Sequence, residues 1–328
     1  MALTQQVMAT SSILTRADHW DHVLARWGYR RIQHRATPGL YALGHPTSTS
    51  PVFVTANYTL SFDALRSSLG GVDGYILVLD TDGINVWCAA GKGTFGTDEL
   101  VRRIEAASLA DIVSHRKLIL PQLGAPGIAA HEVKQRSGFT VTYGPVRAKD
   151  LPAYLATGVA TPAMREVRFD LRDRLVLIPV ELVHVMLPML AVALMLGLLV
   201  APLVGWAVVA AVLAGAALFP ALLPWLPGRE CSTKGFWLGG LVALPFAILA
   251  LAAAPGSTLW QPVAWAIAFL LAMPPVTAYL ALNFTGATTF TSRTGVKREM
   301  AAYIPTMAWL FGIGIVLTLG LSIYGWIA

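Results

Sequence analysis

The chain has 328 residues, 55% of them hydrophobic, with a mean hydropathy of +0.61 and only 13% charged residues, which excludes a wholly water-soluble globular protein. Its net charge of +6 comes without long basic runs or aromatic-basic interleaving, which excludes a nucleic-acid binder. Two cysteines, Cys88 and Cys231, exclude a disulfide scaffold, a four-cysteine zinc site and an iron–sulfur cluster held by this chain alone.

The charges are unevenly spread. Residues 1–174 hold 19 of the 24 Lys and Arg and 15 of the 18 Asp and Glu, so a polar half precedes an apolar one. Met1 to Arg16 shows no signal-peptide pattern, and the polar half is expected to stay in the cytoplasm. Residues 1–38 read as an N-terminal extension with a helix over Asp18 to Trp27. From residue 39 to 156, short β-rich runs alternate with amphipathic ones. These are Val52 to Thr55, Phe62 to Leu69, Tyr75 to Leu79, Ile84 to Trp87, Asp98 to Ala107, Lys117 to Leu120, Ile128 to Arg136, Phe139 to Tyr143 and Leu151 to Leu155. That alternation predicts an α/β domain with a mostly parallel sheet, and such folds bind ligands at the carboxyl ends of their strands. Thr55, Asn57 and Tyr58 follow one strand end, and Gln122 to Gly127, with Gly124 between them, follow another. Both loops are expected to border one cleft.

Between them runs Asn85-Val86-Trp87-Cys88-Ala89-Ala90-Gly91-Lys92-Gly93-Thr94-Phe95-Gly96-Thr97-Asp98. It reads as the end of a strand over Ile84 to Trp87, a Gly-rich loop, and a helix that Thr97 caps. Gly91, Gly93 and Gly96 satisfy G-x-G-x-x-G, with Asp111 fifteen residues beyond, a dinucleotide signature that is weak alone. A phosphate loop fails because the required first glycine position is Val86. Cys88 sits beside a helix start and Lys92. Such surroundings favour a thiolate, the form that attacks carbon or ligates metal; the other reading is a small buried hydrophobe. H-E-x-x-H fails after His131-Glu132 because residue 135 is Gln135.

In the apolar half, Leu175 to Gly228 carries one formal charge, Glu181, while Gly235 to Ser292 and Met300 to Ala328 carry none. At about 20 residues per span these stretches hold five spans, near Leu175 to Leu199, Leu203 to Trp225, Phe236 to Ala254, Leu259 to Leu282 and Ala301 to Ile327. Arg165, Arg168, Arg172 and Arg174 precede the first. Arg229 and Lys234, then Arg293, Lys297 and Arg298, fill alternate connections, whereas the turns at Ala201 to Pro202 and Pro255 to Thr258 are uncharged. The positive-inside rule places the basic loops and the N-terminal domain in the cytoplasm and the C-terminus outside. Glu181 and His184 share one face of the first span, as a proton or metal path or as a hydrogen-bonded pair near the interface.

The eight residues Asn85 to Lys92, NVWCAAGK, resemble at every position the signature of the HgcA family, the membrane-anchored corrinoid proteins of microbial mercury methylation. The loop Thr285-Gly286-Ala287-Thr288-Thr289-Phe290-Thr291-Ser292, with Gly295-Val296 and Glu299-Met300, is similar to a segment of the corrinoid iron–sulfur protein large subunit. The resemblance implies a Rossmann-like α/β corrinoid-binding domain at residues 39–165, a basic linker at 166–174 and five transmembrane helices at 175–328. It further implies a base-off, cobalamin-type corrinoid with Cys88 as the lower axial ligand of cobalt. Asn85, Val86, Trp87, Ala89, Ala90, Gly91, Lys92 and Gly93 would surround it, and Thr55, Asn57, Tyr58, Gln122, Gly124 and Gly127 would hold its rim. The implied reaction passes a cobalt-bound methyl group, taken from a folate-type donor, to Hg(II). The implied redox partner is a small ferredoxin with two 4Fe–4S clusters, and the multi-pass location is the cytoplasmic membrane. Alternative readings are a membrane-bound nicotinamide-dependent dehydrogenase, a corrinoid methyl carrier of acetyl-CoA-type one-carbon metabolism, and a non-catalytic corrinoid store. Cys231 reads as an incidental loop thiol.

Overall fold

A computed structural model describes residues 7–252, 259–288 and 292–327. The chain forms two compact units, Met1–Arg168 and Phe169–Ala328. In the first, six strands among the described residues make one mixed sheet of order β1-β2-β4-β3-β5-β6. They are β1 (Met8–Thr10), β2 (Gly39–Leu43), β3 (Val52–Ala56), β4 (Gly74–Leu79), β5 (Lys117–Leu120) and β6 (Thr140–Tyr143). Four of the five pairings are parallel. The exception is β2, antiparallel to β4, and it admits β1 from the N-terminal segment as an added edge. Every residue of β3 and β4 is buried, as near-continuous apolar runs between two helix layers should be.

Alternate side chains divide between two cores. Val52, Val54, Leu77 and Leu79 pack toward α3 (Val86–Lys92), α4 (Thr97–Ala106) and α6 (Ala130–Ser137). Phe53, Ile76 and Val78 pack toward α2 (Thr59–Ser68) and α7 (Leu151–Thr157). A short helix α5 (Leu109–Ile112) completes the first layer.

The N-terminal helix α1 (Arg16–Arg26) starts in a capping box: Thr15 accepts from the Asp18 amide while Asp18 accepts from the Thr15 amide at 2.7 Å. Its polar side joins α2. Asp18 pairs with Arg66 at 2.9 Å, His22 with Asp63 at 2.7 Å, and Asp21 with His34 at 2.6 Å and the Thr59 hydroxyl at 2.7 Å. Arg66 also donates to the Ser11 and Ile13 carbonyls.

One expected element is replaced. The run Ile84 to Trp87 is not a strand, because Asn85 caps a helix there: its Oδ1 accepts the Cys88 amide at 2.9 Å. Helix α3 ends at Gly93, whose φ of +90° suits glycine. Thr97 is not the cap of α4. Gly96 holds that position, and the Thr97 hydroxyl accepts the Ala129 amide at 2.8 Å.

Among the described residues, the second unit contains five helices long and apolar enough to cross a membrane: Leu171–Leu199, Pro202–Leu222, Cys231–Ala252, Trp260–Ala287 and Thr294–Trp326. The third and fourth approach closely because Gly235 and Gly239 face Ala278 and Pro274. A Cβ on either glycine would come within 2.7 Å of their backbone. Several of the few charges in this unit serve helix ends. Arg174 donates to the Pro220 and Ala221 carbonyls, Lys234 to the Leu223 carbonyl, and buried Glu299 accepts the Ser232 amide at 2.6 Å. These contacts explain why the third and fifth helices begin earlier than the apolar stretches do. Glu181 and His184 lie near the start of the first, half-buried and exposed. The uncharged turn at Pro255 to Thr258 and the residues Thr289 to Thr291 lie outside the described residues.

Two tests follow from these contacts. The hydrogen bond from the Thr15 amide holds the Asp18 carboxyl below its usual range, with further help from the Thr15 hydroxyl and Arg66. A carboxyl lowered on folding stabilises above its unfolded value and loses that effect as pH falls through the folded one. The protection factors of the amides over Thr15–Arg26, taken against intrinsic exchange at each pH, should therefore fall only below about pH 4, whereas in Asp18→Asn they should already be low at neutral pH. Separately, Gly127→Ala would place a Cβ 2.1 Å from the Phe95 carbonyl oxygen and 3.0 Å from Ala90 Cα. Thermal denaturation should show a loss of roughly 1–3 kcal/mol.

Candidate functional site

Helix α3 presents its motif in two faces. Val86, Ala89 and Ala90 are buried in the core beneath the sheet. One turn apart on the outer side stand Cys88, Gly91 and Lys92, at i, i+3 and i+4. Cys88 is half-buried, and Gly91 and Lys92 are exposed. A Cβ built on Gly91 or Gly93 meets nothing within 4 Å, so open space adjoins the thiol along the helix. Just beyond, the Thr94 hydroxyl oxygen is shielded from solvent and has no hydrogen-bond partner among the described residues.

The inner side of Asn85 and Trp87 borders a cavity of about 230 Å³ at the carboxyl ends of β3 and β5. Thr55, Val86, Pro121, Leu123 and Pro145 help to line it. The two strand-end loops thus meet at one cleft, but not through all the residues the sequence suggested. Asn57 is 1% exposed and already engaged: it donates to Asp80 Oδ1 at 3.1 Å and accepts the Thr81 and Gly83 amides at 3.1 and 3.0 Å. It fixes the segment that leads from β4 into α3, with its Oδ1 and one of its two amide N–H donors committed inside the protein. Tyr58 faces Arg31, Arg26 and Asp21 of the N-terminal segment, and burial pushes its phenol up. Gln122 accepts from Arg165 at 2.9 Å.

Gly124 and Gly127 are glycines for internal packing. Their Cβ positions fall 2.5 Å from the Phe95 ring and 2.1 Å from the Phe95 carbonyl, so they let the 3-10 segment Gln122–Gly127 lie on α3. The apolar lining at Leu123 and Pro145 carries no signal of its own in the sequence. Thr94 lies within the same glycine-rich run, but its isolation depends on tertiary packing.

The dinucleotide reading loses its context. Gly91 lies inside a helix and not in a strand-to-helix turn, Gly93 and Gly96 form the α3–α4 corner, and Asp111 is exposed in α5. Among the described residues no group of three or more His, Cys, Asp or Glu is placed to hold a metal ion. A metal at this site would bring most of its ligands with it, as a macrocycle does. The arrangement can present one sulfur from the first turn of a helix to such a group, with a glycine surface on one side and an apolar cavity on the other.

Residues 30–155 match the family model described as CO dehydrogenase/acetyl-CoA synthase delta subunit. Similar proteins include the acetyl-CoA decarbonylase/synthase complex subunits gamma of Methanopyrus kandleri, 33% identical over 127 residues, and of Archaeoglobus fulgidus, 32% identical over 127. In both cases the match covers 38% of this chain and 27% of the relative. The corrinoid/iron-sulfur protein large subunit of Moorella thermoacetica is 24% identical over 160 residues, covering 46% of this chain and 35% of the relative. The chain therefore spans only about a quarter to a third of these proteins. Over residues 30–155, which contain Cys88, the chain is similar to that family model and to the gamma subunits, and its similarity to the corrinoid/iron-sulfur protein large subunit extends over 160 residues.

Proposed function

We propose that the first unit binds a corrinoid in its base-off form, with the Cys88 thiolate as lower ligand to cobalt, and that the protein is a membrane-anchored methyl carrier and methyltransferase. The observation that carries this reading is the outer face of α3, where a capped, half-buried cysteine is followed one turn later by an exposed glycine. The bound corrinoid supplies a cobalt centre that takes up and releases a methyl group. The chain's own residues orient and tune it.

Asn85 fixes Cys88 in the first helical turn by accepting its amide, which sets the direction from which the sulfur is presented. Gly91 and Gly93 would allow a flat macrocycle to lie against the backbone. At about 230 Å³ the cavity beside Trp87 is smaller than a usual enclosed ligand site of ~300–1,000 Å³. It suits an appended part of the cofactor, such as the base that Cys88 displaces. Val86, Ala89 and Ala90 hold α3 to the sheet, and Asn57 holds the segment before it.

The methyl-carrier role is supported by the similarity over residues 30–155 and extends readily to acceptors of one-carbon metabolism, with a folate-type donor. Hg(II) as acceptor is favoured by the NVWCAAGK motif and by electron donation. Sulfur donation from Cys88 to a bound corrinoid would supply the electron-rich centre from which a methyl group could pass to an electrophilic metal ion. Electrons to keep cobalt in a reduced state would come from a small ferredoxin with two 4Fe–4S clusters, because two cysteines cannot build a cluster here. In this reading the five helices span the cytoplasmic membrane, with the first unit and both basic connections inside and the C-terminus outside.

Anaerobically purified Cys88→Ala should express and fold like the wild type, yet lose more than about 100-fold of its methyl transfer to Hg(II) and show an altered visible spectrum. Full activity would overturn the assignment. Gly91→Leu should raise thermal stability by roughly 0.5–1 kcal/mol through helix propensity while lowering cobalt content by metal analysis. Unchanged loading in that variant would remove α3's outer face from the binding site.

A further inference from the structure

Helix α1 is amphipathic in the opposite sense to a helix lying on a soluble domain. Asp18, Asp21 and His22 turn inward onto α2 and His34, Ala25 is buried, and Trp20 and Val23 turn outward. Trp20, Val23 and Trp27, at i, i+3 and i+7, form an outer stripe that is 63%, 42% and 47% exposed. The turn that follows extends it with Tyr29 and Ile32, 54% and 70% exposed. Exposed Arg16, Arg30 and Arg31 edge this surface, and Arg30 lays its guanidinium 5.3 Å from the Tyr29 ring centroid. Keeping two tryptophans in water while carboxylates occupy the inner side is unfavourable unless something covers the stripe.

We propose that α1 and the turn through Ile32 form a contact with the bilayer surface, with Trp20, Val23 and Trp27 at the acyl boundary and the arginines on anionic lipid headgroups. Tryptophan and tyrosine flanked by arginine are the residues that interfacial segments use. Both acidic residues of α1 are engaged inward, so the outer face carries cations and matches an anionic surface. The occupant is also at hand: a chain with five membrane-crossing helices holds its soluble unit at high effective concentration next to a bilayer, with no further protein required. The proposal rests on reading those helices as membrane spans.

The test uses the full chain in lipid nanodiscs of phosphatidylcholine alone or mixed with phosphatidylglycerol, probed by hydroxyl-radical footprinting and mass spectrometry. Oxidation of Trp20 and Trp27 should fall at least about fivefold in the anionic discs, with exposed His45 unchanged as control. High salt should reverse the protection, and so should the double variant Arg30→Glu/Arg31→Glu, whose melting curve checks that it still folds. Equal oxidation in both discs overturns the proposal. So does protection that persists in detergent, which would mean that a second copy or another protein covers the stripe. Alkaline carbonate extraction of membranes reports separately on the spanning helices. A chain that stays in the membrane with unprotected tryptophans defeats this proposal alone, while a chain released by carbonate defeats the membrane reading with it.

Discussion

A single side-chain cap organises the site. When Asn85 accepts the Cys88 amide, it starts a helix in a segment whose β-branched and aromatic residues would otherwise continue as strand. From that start the positions of all the motif residues follow by helical period. Val86, Ala89 and Ala90 go inward, Trp87 goes to the cavity, and Cys88, Gly91 and Lys92 go outward. Without the cap the same eight residues would alternate about a strand, and Cys88 and Lys92 would no longer stand beside Gly91 on one open face.

The glycines around this helix divide by what they face. Gly124 and Gly127 are filled against Phe95 and Ala90 from within the protein, whereas Gly91 and Gly93 face open space. The first pair makes the corner rigid and the second leaves room for a ligand. Sequence alone gives both the same appearance of a glycine-rich loop. Asn57 has a comparable role one step away: it ties Asp80, Thr81 and Gly83 together, so that the segment entering α3 does not drift. These supports matter because one ligand atom placed on a flexible loop would not hold a metal in a defined direction.

Much of the architecture was legible from residue pattern. The buried runs at Val52 to Thr55 and Tyr75 to Leu79, the amphipathic Asp98 to Ala107, and the five apolar stretches each have a period or length that allows one main outcome. Three features escaped. The segment at Gly39–Leu43 became an antiparallel strand through pairing with β4, a long-range event that its own residues do not announce. The helix at Val86 was hidden because a seven-residue helix has too few turns for its period to stand out from a strand. The roles of Asn57, Gly124 and Gly127 depend on partners 20 to 40 residues away in sequence. The chemistry was legible only in part: the motif named the cysteine, while the open face, the cavity and the unpartnered Thr94 hydroxyl are products of packing.

The central claim is that the sulfur of Cys88, presented from the first turn of α3, binds the cobalt of a corrinoid. Cobalt K-edge X-ray absorption on the anaerobically purified full-length protein reads this directly. The account predicts one sulfur in the first coordination shell of cobalt in the wild type and none in Cys88→Ala. A first shell of nitrogen and oxygen alone in the wild type, or cobalt absent from a folded, corrinoid-supplied protein, would contradict it.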